Sequence, residues 1–566
     1  MWERHRFAPL PFLPDLERFW RWQPLRCASI SHQALSGTSS SHPNRSGRPA
    51  AKLYVLCSPV ADWIRIRLVF EESASTQLRP WFCCRRMLAE NDDVEQRDWN
   101  VIMWMDHRAI EETQGINAGK HPSLRYSGGQ VHVEQDPPKL LWLKKNKDLV
   151  KLGHAMPLAD FLTFKATGAT ARSCCTLQCK WVATGCFRSN CPQFQLDVAE
   201  WKSFWTSIGL AELCDDNLAR IAPGAEISLP GQPVGSGLSP AAAQQLGLQP
   251  GTAVGSSLID AHAGALACLA SYQRMHSSLT TSATPSLQFD TCLSMIAGTS
   301  TCHMALSKEQ LFVHGIPGPF HSAILPGFYL MEAGQNAVGS VLDMLLLNFA
   351  DQEVFFDSSL PSKHQQIVKI LLSFSDEDAF MNLSRTVHVW PDYCGNRTPI
   401  NNPHLRGGIL GMELLGQTAT TEEKRLWLAR MYLAHIQAFA LETRFILEAL
   451  EGQEDKRAKF QTVCMCGGLQ KNSVYVQAHA DALQLPVLLP SCEEPVALGA
   501  AMLGAAAFSH YERNDGKALE VAMQQLAQTG AIVQPRKRLK NFYDKKYRVF
   551  REMGTLALDA LTTMSV

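Results

Sequence analysis

The stretch that most limits the fold is Thr462-Val463-Cys464-Met465-Cys466, apolar enough for a buried strand, which runs straight into Gly467-Gly468-Leu469-Gln470-Lys471-Asn472 and a helix to about Leu483. Strand, glycine pair and helix in that order let a nucleotide lie against backbone at the carboxyl end of an α/β sheet. The pair lacks both the Gly-x-Gly-x-x-Gly fingerprint and the Walker lysine motif, which argues against a nicotinamide-dependent oxidoreductase. The rest of the second half has the plan of a doubly wound α/β domain. It holds a helix through Val338, Leu342 and Leu345, one long core-facing helix from Glu422 to Leu450, and an Ala/Gly-rich helix from Pro495 to Ala507. Gly327 to Gln335 reads as the loop before the first of these. That places Glu332 at a loop-to-helix passage, where the macrodipole favours an acid.

Two further segments carry chemistry. Leu258-Ile259-Asp260-Ala261-His262-Ala263-Gly264-Ala265-Leu266 sets one carboxylate between a strand-like apolar run and a helix start of small residues, a good place for a catalytic base. Ala297-Gly298-Thr299-Ser300-Thr301 is a tight hydroxyl-rich turn after the apolar run Leu293 to Ile296, with backbone N–H groups suited to phosphate. A base and a phosphate turn together suggest phosphoryl transfer to an alcohol.

A chain of 566 residues is too long for one core and fits two α/β domains with extensions. Fifty-three basic residues balance fifty-three acidic ones, so no overall field recruits nucleic acid or an anionic membrane, and anionic substrates need local sites. The seventeen cysteines are scattered without the spacing of a secreted scaffold, which points to a reducing compartment and a cytoplasmic protein. No apolar run reaches the roughly 18–20 residues of a membrane span. The first fifty residues are rich in Arg and Ser and poor in acids, weakly like a mitochondrial transit segment, although a disordered extension is the simpler reading. Leu53 to Phe70 reads as a hairpin, Val101 to Met105 as a strand ending at Asp106, and 137–147 and 156–167 as helices, the second ended by Gly168. Lys180 lies in the largely apolar run Ser173 to Trp181. A lysine there snorkels to the surface or, if buried, needs an anionic or hydroxyl partner.

In order along the chain, these segments resemble the FGGY carbohydrate kinases, in particular their D-ribulokinase branch. The similarity runs from about Val101 to Phe550. It is carried by Ile102 to Ala109, Pro138 to Lys144, Ala159-Asp160-Phe161-Leu162, Leu258 to Leu266, Ala297 to Met304, Glu332 to Gly339, Val387 to Asp392, Gly395-Asn396-Arg397-Thr398-Pro399, Cys466 to Asn472 and Phe542 to Tyr547. The resemblance implies two actin-like, ribonuclease H-like ATPase domains around a central cleft, with sugar on one side and MgATP on the other. The domains expected are 52–270 on the sugar side, incomplete at its start, and 290–510 on the nucleotide side, flanked by a divergent segment 1–51 and a helical extension 511–566.

The same resemblance implies the residue roles. Asp260 is the general base, acting on the metal only indirectly through MgATP. Lys180 and Glu332 bind sugar, with Asp106 a weaker sugar-side candidate. Gly298, Thr299, Ser300 and Thr301 meet the β- and γ-phosphates, and Gly467, Gly468, Lys471 and Asn472 form the adenosine motif. Gln335 and Asn396-Arg397 fall in signature segments near the cleft, while His262, His303 and His388 are read as satisfied structural histidines. The expected substrate is D-ribulose, converted to D-ribulose 5-phosphate. Another pentulose or a pentitol is the alternative, and a homodimer is compatible with this reading. The sequence also departs from the family: its kinases begin with a Val-Asp-x-Gly-Thr-x-Ser hairpin, and here Ser58 stands at the aspartate and Val60-Ala61 at Gly-Thr. Residues 71–100 are too few for the helix and strands expected next, so the first domain is expected to be truncated. An altered N-terminus on a working kinase and a catalytically impaired pseudokinase both fit that departure.

Overall fold

The computed structural model describes residues 102, 104, 106–146, 154–185, 196–279, 289–348, 356, 362–374, 377–416, 418–452, 459–513 and 517–564. The expected hairpin of Leu53 to Phe70, with Ser58 and Val60-Ala61, and the shortened stretch 71–100 lie outside these residues. Of the strand expected at Val101 to Met105, Ile102 and Trp104 are described and neither is extended in a ladder.

Before Asp260 the described chain is mainly helical: α1 (Ile110–Ala118), α2 (Asp136–Asn146), α3 (Leu158–Thr167), α4 (Cys174–Trp181) and α5 (Val198–Ser207). Gly168 ends α3 in the left-handed region, as its position after the last apolar residue implies. Helix α4 begins where the Ser173 hydroxyl accepts the Cys175 N–H, a standard N-cap. Its far end is packed by aromatic side chains, since Trp181, Trp201, Phe204 and Trp205 are fully buried in one cluster. Trp181 donates its indole N–H to the Asp136 carboxylate, and Trp201 donates to the Trp181 carbonyl at 3.0 Å, so these two indoles are buried with their polar tips satisfied.

The second half is built on a seven-stranded mixed sheet made of β1 (Cys292–Ala297), β2 (Thr301–Ser307), β3 (Phe320–His321), β4 (Tyr329–Gln335), β5 (Thr462–Cys466), β6 (Val487–Pro490) and β7 (Gly530–Val533). In space the order is β7-β6-β5-β1-β2-β4-β3, with β1, β2 and β4 an antiparallel meander and β5 and β6 parallel to β1. Alternation along the strands feeds two cores. Leu293, Met295, Met331, Ala333, Val463 and Met465 join one cluster, while Cys292, Met304, Leu330, Cys464 and Cys466 join the other. Covered on both faces, these strands read as unbroken apolar runs.

Helix α6 (Asp260–Leu279) packs on one face of the sheet, against β1 and β5. The other face takes α7 (Val338–Asn348) and α8 (Thr421–Glu451), and α9 (Ser473–Leu483) packs on α8. The long α8 is started by a capping box between Thr420 and Glu423. Helix α10 (Pro495–Arg513) packs along α6, and α11 (Lys540–Met564) closes the described chain. Among the described residues no helix is long and apolar enough to cross a membrane.

Candidate active site

Glu332 sits in the middle of β4, not at the loop-to-helix passage expected from the sequence. Residues 329–335 pair with β2 over their whole length, Glu332 opposite Met304, and all seven are buried. A strand buried on both faces shows no polar alternation, and Glu332 and Gly334 within it imitate a loop. By the two-residue period Glu332 shares the Leu330 face, the one packed by α6. A buried carboxylate needs partners, and this one has three side chains in contact with it. Its Oε1 accepts from Arg397 Nη2 at 2.9 Å, while its Oε2 accepts from the Cys179 thiol at 2.8 Å and lies 3.1 Å from His262 Nε2. Burial would raise its pKa. The hydrogen bond and charge of His262, then Arg397 and Lys180, outweigh that and hold the carboxyl well below the ordinary glutamate range.

Arg397 comes from the Gly395 to Pro399 signature segment, which docks directly on β4. The Thr398 hydroxyl accepts the Gly334 N–H at 2.8 Å and donates to the Gly334 carbonyl at 2.9 Å. Because Gly334 has no side chain, the guanidinium lies against the strand; a Cβ there would meet Arg397 Nη1 at 3.0 Å and Cζ at 3.1 Å. The preceding residue anchors the loop. Asn396 Nδ2 donates to Asp392 Oδ2 at 3.0 Å and reaches Glu442 Oε1 at 3.4 Å, and its backbone pairs with Asn402. The guanidinium also lies 3.8 Å from Glu134 Oε2.

Lys180, near the C-terminal end of α4, lines the same pocket as Glu332, Arg397, Glu134, His132 and Asn401. Burial works against its charge, but Cys179, Glu332 and Glu134 outweigh it and keep the ammonium protonated. The surface reading of this lysine is thereby replaced by the pocket one. Val182, directly after α4, adopts a left-handed conformation rare for a β-branched residue, a local strain beside the site. The segment 127–135 was missed by sequence reasoning, although Gly128-Gly129 followed by Val131-His132-Val133-Glu134 is a turn leading polar groups into an apolar run. It supplies Ser127, His132, Glu134 and Gln135 to the pocket. Gln135 Nε2 ties this wall to α4 by donating to the Cys179 carbonyl at 3.0 Å.

Asp260 is the first residue of α6. The apolar residues before it form no strand, which corrects the strand-like reading: Leu258 and Ile259 are buried or half-buried in a loop without ladder partners. Burial raises its pKa against the opposing Ala261 N–H, Lys180 and His262, so the carboxylate is more basic than a solvated aspartate. Lys180, Asp260 and Glu332, 152 positions apart from first to last, are within electrostatic reach of one another. His262 takes part in this network through Glu332 and through Cys175 Sγ, 2.8 Å from its Nδ1. His303 is buried with its Nε2 3.1 Å from the Thr443 hydroxyl, a structural placement. Asp106 is not brought into the pocket; its carboxylate accepts the backbone and side-chain N–H groups of Arg108.

The expected phosphate turn is the β1–β2 hairpin, and its atoms are already divided. Gly298 N–H donates to the Ser300 carbonyl at 2.9 Å, the Ser300 hydroxyl accepts from Ala337 N–H at 3.1 Å, and Thr301 Oγ1 lies in the core 3.4 Å from the Tyr475 hydroxyl. Thr299 is the exposed member. Gly467 takes φ +98°, and a Cβ there would collide with the Ala297 carbonyl, so the glycine loop rests against the hairpin. Gly468 opens a short turn of 3₁₀ helix to Lys471, which is exposed. The Asn472 side chain is used within the fold: Oδ1 caps α9 by accepting from Val474 and Tyr475 N–H at 3.2 Å, and Nδ2 donates to Tyr432 at 3.0 Å. An asparagine at a helix start satisfies otherwise orphaned N–H groups.

The architecture is that of sugar kinases. Ligand-bound xylulose kinase from Lactobacillus acidophilus superposes with a TM-score of 0.59 at 17% identity, covering 82% of this chain and 81% of that one. Residues 293–508 match the C-terminal domain of the FGGY family of carbohydrate kinases. The human FGGY carbohydrate kinase domain-containing protein is 40% identical over 460 residues, 80% of this chain and 78% of the human one. A D-ribulokinase of Saccharomyces cerevisiae is 33% identical over 445 residues, 75% of this chain and 60% of the yeast protein. The chain belongs to the FGGY family of carbohydrate kinases, enzymes that transfer a phosphoryl group to a sugar.

Proposed function

We propose that this chain phosphorylates a ketopentose, D-ribulose at its terminal hydroxyl, with MgATP as donor and Asp260 as general base. The observation that carries the reading is the convergence of Lys180 and Glu332 on one pocket of paired charges, with Asp260, which is not part of the pocket lining, close enough to both to feel their charge. Fixed carboxylates and cations suit a polyol, whose hydroxyls both donate and accept. The name of the yeast relative favours D-ribulose. Asp260 takes the proton of the sugar hydroxyl as its oxygen bonds to the γ-phosphorus and the bond to the ADP oxygen breaks; a carboxylate of raised basicity suits that step. Lys180 and the Arg397-supported Glu332 orient the sugar, and the 297–301 hairpin with the Gly467-Gly468 loop receives the phosphates. On this reading 52–270 is the sugar-side domain and 290–510 the nucleotide-side domain.

The test is coupled ADP release from the purified chain with MgATP and D-ribulose, L-ribulose, D-xylulose or ribitol. D-ribulose turnover falling at least ~10²-fold in Asp260→Asn, with sugar KM kept within a few-fold, is the expected result. Near-normal turnover in the mutant removes Asp260 from the base role, and silence from a folded wild-type chain favours the impaired-kinase reading.

A further inference from the structure

Beside the pocket, three metal-ligating atoms from three elements lie within 4.8 Å of one another: Cys179 Sγ on α4, His262 Nε2 on α6 and Glu332 Oε2 on β4. Glu332 Oε2 is their meeting point, 2.8 Å from the sulfur and 3.1 Å from the imidazole nitrogen. Each of the two longer ligands is held from behind. His262 Nδ1 lies 2.8 Å from Cys175 Sγ, and Glu332 Oε1 accepts from Arg397 at 2.9 Å. Outer support of this kind orients imidazole and carboxylate ligands in metal sites. Cys179 and Glu332 also line the pocket, so an ion reaches them by the route open to the sugar.

We propose that Cys179, His262 and Glu332 form an inhibitory site for zinc, in which the ion competes with sugar for Glu332. The competition rests on the sugar-binding role given to Glu332 above; the metal site itself does not. One sulfur, one nitrogen and one oxygen suit a tetrahedral ion with bonds of about 2.0–2.3 Å, whose ligand atoms stand about 3.3–3.7 Å apart. The sulfur, now 2.8 Å from Glu332, needs to draw back by about 0.7–0.8 Å, and the nitrogen, now 3.1 Å away, by about 0.2–0.3 Å. Magnesium and calcium take oxygen ligands and are poor fits for a thiolate and an imidazole. On binding, the Cys179 thiol gives its proton to solvent, the Nε2 proton that His262 directs at Glu332 leaves as well while the ring keeps its hydrogen on Nδ1 beside Cys175, and thiolate plus carboxylate neutralise the dication. Lys180 and Arg397 oppose the ion, which argues for reversible binding rather than a structural metal. The fourth position faces the pocket and takes water.

The test is titration of zinc chloride into the metal-free full chain, read by calorimetry and by competition with a chromogenic chelator, with and without saturating D-ribulose and no ATP. One zinc per chain is expected, weakened at least tenfold by Cys179→Ser and by His262→Gln, weakened by D-ribulose, and unchanged by Cys394→Ser, which removes an exposed thiol. Circular dichroism establishes that each variant is folded; should Cys179→Ser not fold, His262→Gln carries the comparison. Zinc binding indifferent to both substitutions, or absent while D-ribulose still binds, overturns the proposal and leaves the kinase reading standing. Zinc binding lost in Cys179→Ser but indifferent to sugar keeps the metal site and refutes the sugar role of Glu332.

Discussion

Replacing Gly334 by alanine tests whether Arg397 tunes the sugar pocket, because it moves the guanidinium without removing any charge. The new Cβ would stand 3.0 Å from Nη1 and 3.1 Å from both Cδ and Cζ of Arg397, a few tenths of an ångström inside ordinary contact. The strand itself does not resist: Gly334 is in extended backbone, and alanine in a strand interior gains about 0.5–1 kcal/mol over glycine. The yielding atoms are the end of a flexible side chain. Pushing the guanidinium off β4 stretches its 2.9 Å bond to Glu332 toward the limit of a good hydrogen bond. A charged hydrogen bond contributes about 1.5–3 kcal/mol, so losing a third to a half of it costs about 0.5–1.5 kcal/mol. At 1.4 kcal/mol per decade that is a two- to twelve-fold fall in kcat/KM, expected mostly in the KM for D-ribulose. The assay is coupled ADP release at saturating MgATP, with urea unfolding to show that stability is within about 1 kcal/mol of wild type. Repeating the substitution in an Arg397→Lys background completes a double-mutant cycle. Lysine has no planar group lying on residue 334, so there the alanine should cost nothing. An unchanged KM, or effects that simply add, would refute this account of Arg397.

Lys180→Ala should raise sugar KM by roughly 10- to 150-fold, the worth of one charged contact of about 1.5–3 kcal/mol, with a smaller change in kcat; steady-state kinetics read the split. Asn472→Ala should lower stability by about 0.5–2 kcal/mol through the lost α9 cap and leave the KM for ATP within about two-fold, checked by urea melts beside kinetics. Burial raises the pKa of both carboxyls in the Asp392–Glu442 pair, and Asp392 pushes Glu442 further up. A carboxyl whose folded pKa is raised stays protonated longer in the folded chain, so the unfolded chain sheds protons first and stability falls as pH rises from about 4 through the folded pKa. Glu442→Gln, neutral at every pH, should flatten that fall between pH 5 and 8 in denaturant titrations; a slope identical to wild type would show that the pair is not protonated.

What the sequence made legible follows from how locally each feature is encoded. The strand, glycine pair and helix at 462–483, the hairpin at 297–301 and the helix over 421–451 each depend on neighbours within a few residues: apolar runs, turn glycines and a capping box. Glu332 was assigned as a residue but misplaced as an element, because its strand is specified by pairing with β2 some thirty positions away rather than by alternation. The same long-range logic hides the wall formed by Ser127, His132, Glu134 and Gln135. Nothing within that segment requires His132 and Glu134 to be buried; the requirement comes from Arg397 and Lys180, which arrive 263 and 46 positions after Glu134. Asn472 shows the converse, since a motif residue beside a glycine loop invites a ligand role while its side chain is used on the backbone two and three residues ahead. A buried charge is therefore read correctly only once its counter-charge is known. In this site the two carboxylates have their main partners far away in sequence, Glu332 depending on His262 and Arg397 and Glu134 on Arg397, while Lys180 depends on adjacent Cys179 and then on distant Glu332 and Glu134. Removing any one leaves another buried charge uncompensated, which ties the pocket's shape to its electrostatics and makes displacement of Arg397 by a single methyl group the gentlest probe of the whole set.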